Sequence, residues 1–206
     1  MLKVLGGTNL NATQNLKNDH VIIKRIRNIS QICSDRLYAN QFIPITDIEI
    51  LSVIMEEFVD NFHHGKEEKA YFPETKDKDG FAEDIRKFLI EHELGRRIAM
   101  MLRRELEKWK KEMEKEDNRE LSEAYGSVNE PVARFLKAYA VFLDDHIGKE
   151  DKFFDMVEEK DSITNNENEA LLKYYESCKT QVGGEVRIQE MVRLIEYLEA
   201  RGWMKV

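Results

Sequence analysis

Two stretches of the chain, FHHGKEEKAYF from Phe62 and DHIGKEDKFFD from Asp145, are one phrase written twice, and together they hold three of only five histidines. A second pair accompanies them: NDHVIIKRI around His20 resembles IEHELGRRI around His92. Each half of the chain therefore has a segment with a lone histidine, followed by a segment with His-x-x-x-Glu. Repetition in matched order implies two copies of a helical hairpin related by a pseudo-two-fold axis. Composition agrees with helices. The charged fraction of 35% and the three prolines suit long amphipathic helices rather than a sandwich of short strands, so the expected class is all-α.

Sequence punctuation divides the chain. An apolar-periodic run from about Leu16 to Leu37 is followed by Pro44, with Thr46 and Asp47 as expected N-caps of the next run. That second run is expected to stop at Pro73, and a polar ETKDKDG link leads to a third helix from Phe81. The tail of the third helix, from about Glu105 to Glu120, alternates charge so densely that it is expected to be a solvated extension. Ser127 and Glu130 read as a capping box opening the fourth helix, and Thr164 with Glu167 as another. The expected organisation is a four-helix bundle over residues 10–160, with two extra helices over 161–206 covering the bundle or mediating a homodimer.

Several functions are disfavoured at once. The net charge of -8, with Lys and Glu interspersed, lacks the basic stripe that nucleic acid or an anionic membrane surface requires. No apolar run approaches a membrane span or a signal-peptide core, so a soluble, cytoplasmic protein is expected. Cys33 and Cys178 are too few for a disulfide framework and read as small buried apolar groups.

Helix geometry gives the repeat its chemistry. At about 100° per residue, positions four apart differ by only about 40°, so His63 with Glu67 and His146 with Glu150 project one turn apart on one face. Ile54, Met55, Val59 and Phe62 in one helix, and Tyr139, Phe142 and Leu143 in the other, lie on or near that face. The carboxylates would thus point into the core, where they are costly unless a metal neutralises them. Aligning HHGKEE with HIGKED sets His63 over His146 and leaves His64 over Ile147. His64 then falls about 100° off the ligand face and is expected behind the ligands or toward solvent.

The order lone His, HHGKEEKAYFP, EHELGR, HIGKED resembles the hemerythrin-like, or HHE cation-binding, family over about residues 15–156. The resemblance implies an antiparallel up-down bundle holding two iron ions with a bridging oxide or hydroxide. His20, His63, His92 and His146 would be the nitrogen ligands, and Glu67 and Glu150 would span the metals. Oxygen-carrying members have a fifth histidine one turn from its partner on the third helix, but Phe88 and Arg96 occupy those positions. The pattern is then the four-histidine, two-carboxylate variant, with two histidines and three oxygens on each of two five-coordinate irons.

Two carboxylates leave a pair of ferrous ions at a net +2, and neutral imidazoles favour the reduced state relative to carboxylates. The first expectation is a protein that binds dioxygen or another small diatomic for sensing, storage or redox response. The alternatives are an enzyme reducing nitric oxide or peroxide, an iron donor in iron–sulfur repair, or a bundle whose metal, zinc included, is structural. Residues 1 to 15 contain no cysteine, which argues against repair. Supporting positions are Tyr139, seven before His146, and its counterpart Glu56, either within reach of a metal-bound ligand unless Tyr139 is core packing. Gly95 leaves either a pocket for a diatomic or close helix packing. Gly65 and Gly148 are expected to let helices approach, and Lys66 and Lys149 to lie on solvated edges.

Overall fold

A computed structural model describes residues 11–115 and 121–205, without the side chains of 114–115 and 121–128. Among the described residues every regular element is helical. Helix α1 runs Ala12–Tyr38, opened by Asn11, whose side chain accepts from the Gln14 N–H at 2.6 Å. Helix α2 is a rod over residues 45–75: an α segment Ile45–Ile54, π-helical stretches Met55–His64 and Glu67–Tyr71, and a last α turn Phe72–Thr75. Helices α3 (Ala82–Lys115) and α4 (Leu121–Glu159) complete an up-down bundle in which α1 packs on α4, α4 on α3, and α2 on both α1 and α3.

Several sequence boundaries move. The helix passes Pro73 by two residues, the proline sitting where the final α turn begins. Helix α4 starts at Leu121, so Pro131 lies inside it and the expected capping box does not open it; the Ser127 side chain lies outside the described residues. No side chain caps α2. Its Asp47 carboxylate instead accepts from Arg201 and from the Trp203 indole N–H, both at 2.8 Å, which pins the C-terminal end of the chain to the start of α2. The charged tail of α3 is not wholly solvated either, because Leu106 and Trp109 on one face are buried.

After α4 come α5 (Asn165–Gln181) and α6 (Gly184–Glu199). Thr164 and Glu167 form the expected capping box. Gly183, at φ 104°, takes the left-handed turn between the two helices, where a side chain would be strained. Both helices lie on the bundle. Helix α6 packs on α1 and α2, with Arg25 forking onto Glu199 and Arg187 onto Glu57, while α5 packs on α1 and on the second π-helical stretch of α2.

The bundle interior has two apolar clusters. One holds Ile23, Phe58, Phe62, Leu102, Leu143 and Ile147; the other is aromatic, with Tyr71, Phe72, Phe88, Phe153 and Phe154. Each helix crosses from one cluster to the other at its histidine. Leu16 and Ile23 flank His20, Phe62 and Tyr71 flank the His63–Glu67 stretch, Phe88 and Ala99 flank His92, and Phe142 and Phe153 flank His146 and Glu150. A polar layer is thereby sandwiched between two apolar ones.

Candidate metal centre

His20, His63, Glu67 and Glu150 offer donor atoms that all lie within 4.8 Å of one another, and His64, His92 and His146 form a second such group. The six residues expected to be ligands are thus brought together, and all are buried. Both carboxylates fall in the first group and also turn oxygens toward histidines of the second. Glu67 turns one oxygen to His63 Nε2 at 3.3 Å and the other to His92 Nε2 at 3.5 Å. Glu150 turns one to His20 Nε2 at 3.3 Å and the other to His92 and His146 Nε2, each at 3.3 Å.

None of those contacts is a well-formed hydrogen bond. All four carboxylate oxygens, together with Nε2 of His92 and His146, are buried without a hydrogen-bond partner among the described residues. Burying a polar atom unsatisfied costs about 1–3 kcal/mol, more when it is charged, so six orphans at one point are untenable unless something occupies it. Bound cations would satisfy them. The donor set of imidazoles and carboxylates suits iron, zinc and other first-row divalent ions.

The outward nitrogens explain how the rings are held. His20 Nδ1 donates to Asp151 at 2.6 Å, His63 Nδ1 to Asp19 at 3.1 Å, His92 Nδ1 to Glu68 at 2.8 Å and His146 Nδ1 to Glu91 at 2.8 Å. A carboxylate only accepts, so each bond puts the hydrogen on Nδ1 and aims Nε2 inward, the arrangement a metal-bound imidazole requires. A cation backs every carboxylate: Lys24 on Asp151, Lys66 on Asp19, Arg96 on Glu68 and Lys149 on Glu91.

These supports follow the repeat. The acid before each lone histidine, Asp19 or Glu91, serves the His-x-x-x-Glu histidine of its own hairpin. The acid after each glutamate, Glu68 or Asp151, crosses to the lone histidine of the other hairpin. The lysine of each H-x-G-K-E phrase pairs with the first kind of acid. Sequence reasoning missed all four acids, although their matched placement beside the ligands was the available signal.

His64 departs from expectation. It does not turn away: it is buried, its ring stacks on His92 at 3.8 Å between centroids, and it joins His92 and His146. The physical reason is the π-helical winding through Met55–His64. Pairing i with i+5 turns the chain less per residue than an α-helix does, so neighbours 63 and 64 both fall in the inward sector. Its Nδ1 lies 3.5 Å from Asp60, too far for a good hydrogen bond.

The remaining supporting positions fall partly as expected and partly not. Glu56 is half-exposed and pairs with Arg103 at 2.6 Å, away from the centre. Tyr139 is core packing beside Phe142. Gly95 leaves no pocket: a Cβ there would fall 2.5 Å from the Phe142 ring, which stacks on His146 at 5.1 Å, so this glycine makes room for the ring that backs His146. Gly65 and Gly148 mediate no close approach, since a Cβ at either would meet nothing within 4 Å. Lys149 is half-exposed, but Lys66 is fully buried rather than solvated. A hollow of about 610 Å³, lined by Asp60, Gly65, Glu68, Arg96 and Arg187 among others, reaches the outside of the His64–His92 end.

With this geometry in place, the comparison with known families is decisive: the hemerythrin HHE cation binding domain matches residues 11–157. The chain belongs to that family. No curated protein and no solved structure matches the chain significantly. As in the hemerythrin-like domain at large, the shared function is binding of metal by a helical bundle. No helix of the described residues is long and apolar enough to cross a membrane.

Electrostatics divide the metal-free centre into unlike ends. Burial holds the His64 imidazole down at about 4 and His92 well below its ordinary value, so both stacked rings are neutral. Burial also acts to lower His63, but the carboxylates of Glu67 and Asp19 outweigh it and raise His63 to about 9. Protonated, His63 can donate from Nε2 to the His20 lone pair at 3.1 Å. Of the two inner carboxyls, Glu150 is pushed well up by burial and by the charge of Glu67. Glu67, though burial opposes it, is held down by His63. Burial and the neighbouring charge thus favour the protonated form of Glu150 over that of Glu67.

Proposed function

We propose that the chain is a non-heme di-iron protein that captures a small diatomic molecule, dioxygen or nitric oxide, for sensing, storage or redox response. The observation that carries this reading is the pair of buried carboxylates, each offering one oxygen to each of two histidine groups. Two cations sharing two carboxylates fit that pattern better than one cation taking a subset.

His64, His92 and His146 would hold one ion and His20 with His63 the other, with Glu67 and Glu150 common to both. This replaces an equal division of four nitrogens by three against two. The poorer end, beside His20 and His63, then has room for an exogenous ligand. Iron supplies reversible one-electron chemistry and affinity for diatomics; the protein supplies the rest. The carboxylate on each Nδ1 fixes four of the rings, and Phe154 against His20 with Phe142 against His146 limits water around them. The hollow beside Gly65 is lined by Asp60 and Glu68, the acids that lie against His64 and His92.

The test is direct. Metal is quantified after expression in iron-replete medium, and the near-ultraviolet spectrum of the reduced protein is followed on adding dioxygen and, separately, nitric oxide. Two irons per chain and a band that reverses on degassing are expected. Rapid turnover with consumption of reductant would instead assign an enzyme. A wild-type chain that takes up no iron, or only one ion, would overturn the di-iron reading.

A further inference from the structure

The four hydrogen-bonded carboxylate supports are alike in chemistry and unlike in exposure. Three are wet: Asp151 is 32% exposed with Lys24 at 58%, Glu91 is 23% with Lys149 at 46%, and Glu68 is 22% with Arg96 at 33%. The fourth is nearly dry, with Asp19 at 12% and Lys66 at 1%. Lys66 has its ammonium on Asp19, donates to Asn15 at 2.8 Å, and lies under the rings of Phe62 at 4.2 Å and Tyr175 at 5.2 Å. Phe62 and Asn15 belong to the bundle, but Tyr175 is contributed by α5.

Lys149 occupies the matching position of the other phrase and reaches its acid from solvent. The difference is not in the phrase; it is in the cover that α5 lays over one hairpin. Burying an ammonium is expensive, and screened charges act weakly at a distance, so the same lysine has little electrostatic reach when wet and much when sealed.

We propose that Lys66 is a positioning residue that sets the electron affinity of the His20–His63 end of the metal centre through Asp19, and that Tyr175 of α5 makes its charge effective by excluding water. This rests on the di-iron reading above. Two consequences of the pairing act in one direction. The ammonium draws electron density from Asp19, so Asp19 pulls less on the His63 Nδ1 hydrogen and His63 is a poorer donor to a ferric ion. The unscreened positive charge also disfavours the more positive oxidation state. Removing it should favour ferric over ferrous.

The experiment is a spectroelectrochemical titration of the full iron-loaded chain, after iron content and melting temperature are recorded, for wild type, Lys66→Gln, Lys66→Arg, Lys149→Gln and Tyr175→Ala. Lys66→Gln should shift the ferric/ferrous equilibrium at least tenfold toward ferric, equivalent to 59 mV for a one-electron couple. Lys66→Arg should restore the wild-type potential, Lys149→Gln should shift it much less, and Tyr175→Ala should shift it as Lys66→Gln does but less far. An iron-replete Lys66→Gln chain at unchanged potential overturns the inference, as does an equal shift in Lys149→Gln. If Lys66→Gln fails to hold iron, Tyr175→Ala decides, because it keeps the ion pair and admits water; no shift there is equally fatal. A wild-type chain without iron sinks the functional reading beneath it, whereas unchanged potentials in loaded variants sink this inference alone.

Discussion

The hairpin α1–α2 and the hairpin α3–α4 carry the same phrase and the same supporting acids, and differ in local winding and in what covers them. In the second, the phrase lies on an ordinary α-helix, Ile147 follows His146, and Lys149 stands half in solvent. In the first, the phrase lies on π-helical turns, His64 follows His63 into the interior, and Lys66 is sealed under α5. The lesson is that repetition specifies where donors converge, while local winding and outer cover specify how many converge and how each end is charged. A pseudo-symmetric scaffold thereby builds an asymmetric centre.

The widest test of the shared part is Glu67→Ala beside Glu150→Ala. Because each carboxylate reaches both groups, either change should release both ions, lowering affinity by well over about 100-fold, beyond the range seen when only an outer partner is removed. The iron-dependent gain in melting temperature should vanish with it. Full metal content in either variant would show that the carboxylate is not shared.

The asymmetry itself can be abolished. His64→Leu should reduce the three-histidine end to two nitrogens, weakening one ion by more than about 100-fold while the other is kept, so metal analysis should fall from two toward one ion per chain. Unchanged stoichiometry and spectrum would return His64 to a bystander. Proton release separates the ends more finely. His63, raised to about 9, must lose a proton to a metal, whereas the neutral His64 and His92 lose none. Apparent affinity should therefore fall as pH falls below about 9, by about tenfold per unit between pH 8 and 7, each proton displaced adding a factor of ten. A flat profile in a competitive chelator titration would contradict the assigned charge states.

The smallest effects compare glycines. Gly95→Ala drives a methyl into Phe142 and should cost about 1–3 kcal/mol with a disturbed His146 environment. Gly65→Ala and Gly148→Ala meet nothing and should be neutral or stabilising by up to about 1 kcal/mol, identically in the two hairpins. Thermal melts distinguish these outcomes.

Much of the centre was legible without coordinates. The helical class, the bundle and the convergence of His20, His63, Glu67, His92, His146 and Glu150 follow from a period and a repeat, since residues four apart share a face in any helix of ordinary winding. The Thr164–Glu167 cap is equally local, being a reciprocal pair of bonds within one turn. Legibility failed where a residue's fate depended on partners distant in the chain. Asp47 looked like a cap and became an anchor for Arg201 and Trp203. Glu56 shared a register with Tyr139 but faced Arg103. Gly95 was open to two readings until Phe142 filled the space.

Sequence alone determined which side chains could meet, because helical periodicity and duplication are properties of the order of residues. Tertiary structure decided that His64 joins them, that Lys66 is dry and Lys149 wet, and that the two ends differ in charge. Those outcomes depend on the pitch that α2 adopts within the bundle and on a helix from the far end of the chain folding back over one hairpin. Spacing along a sequence encodes neither.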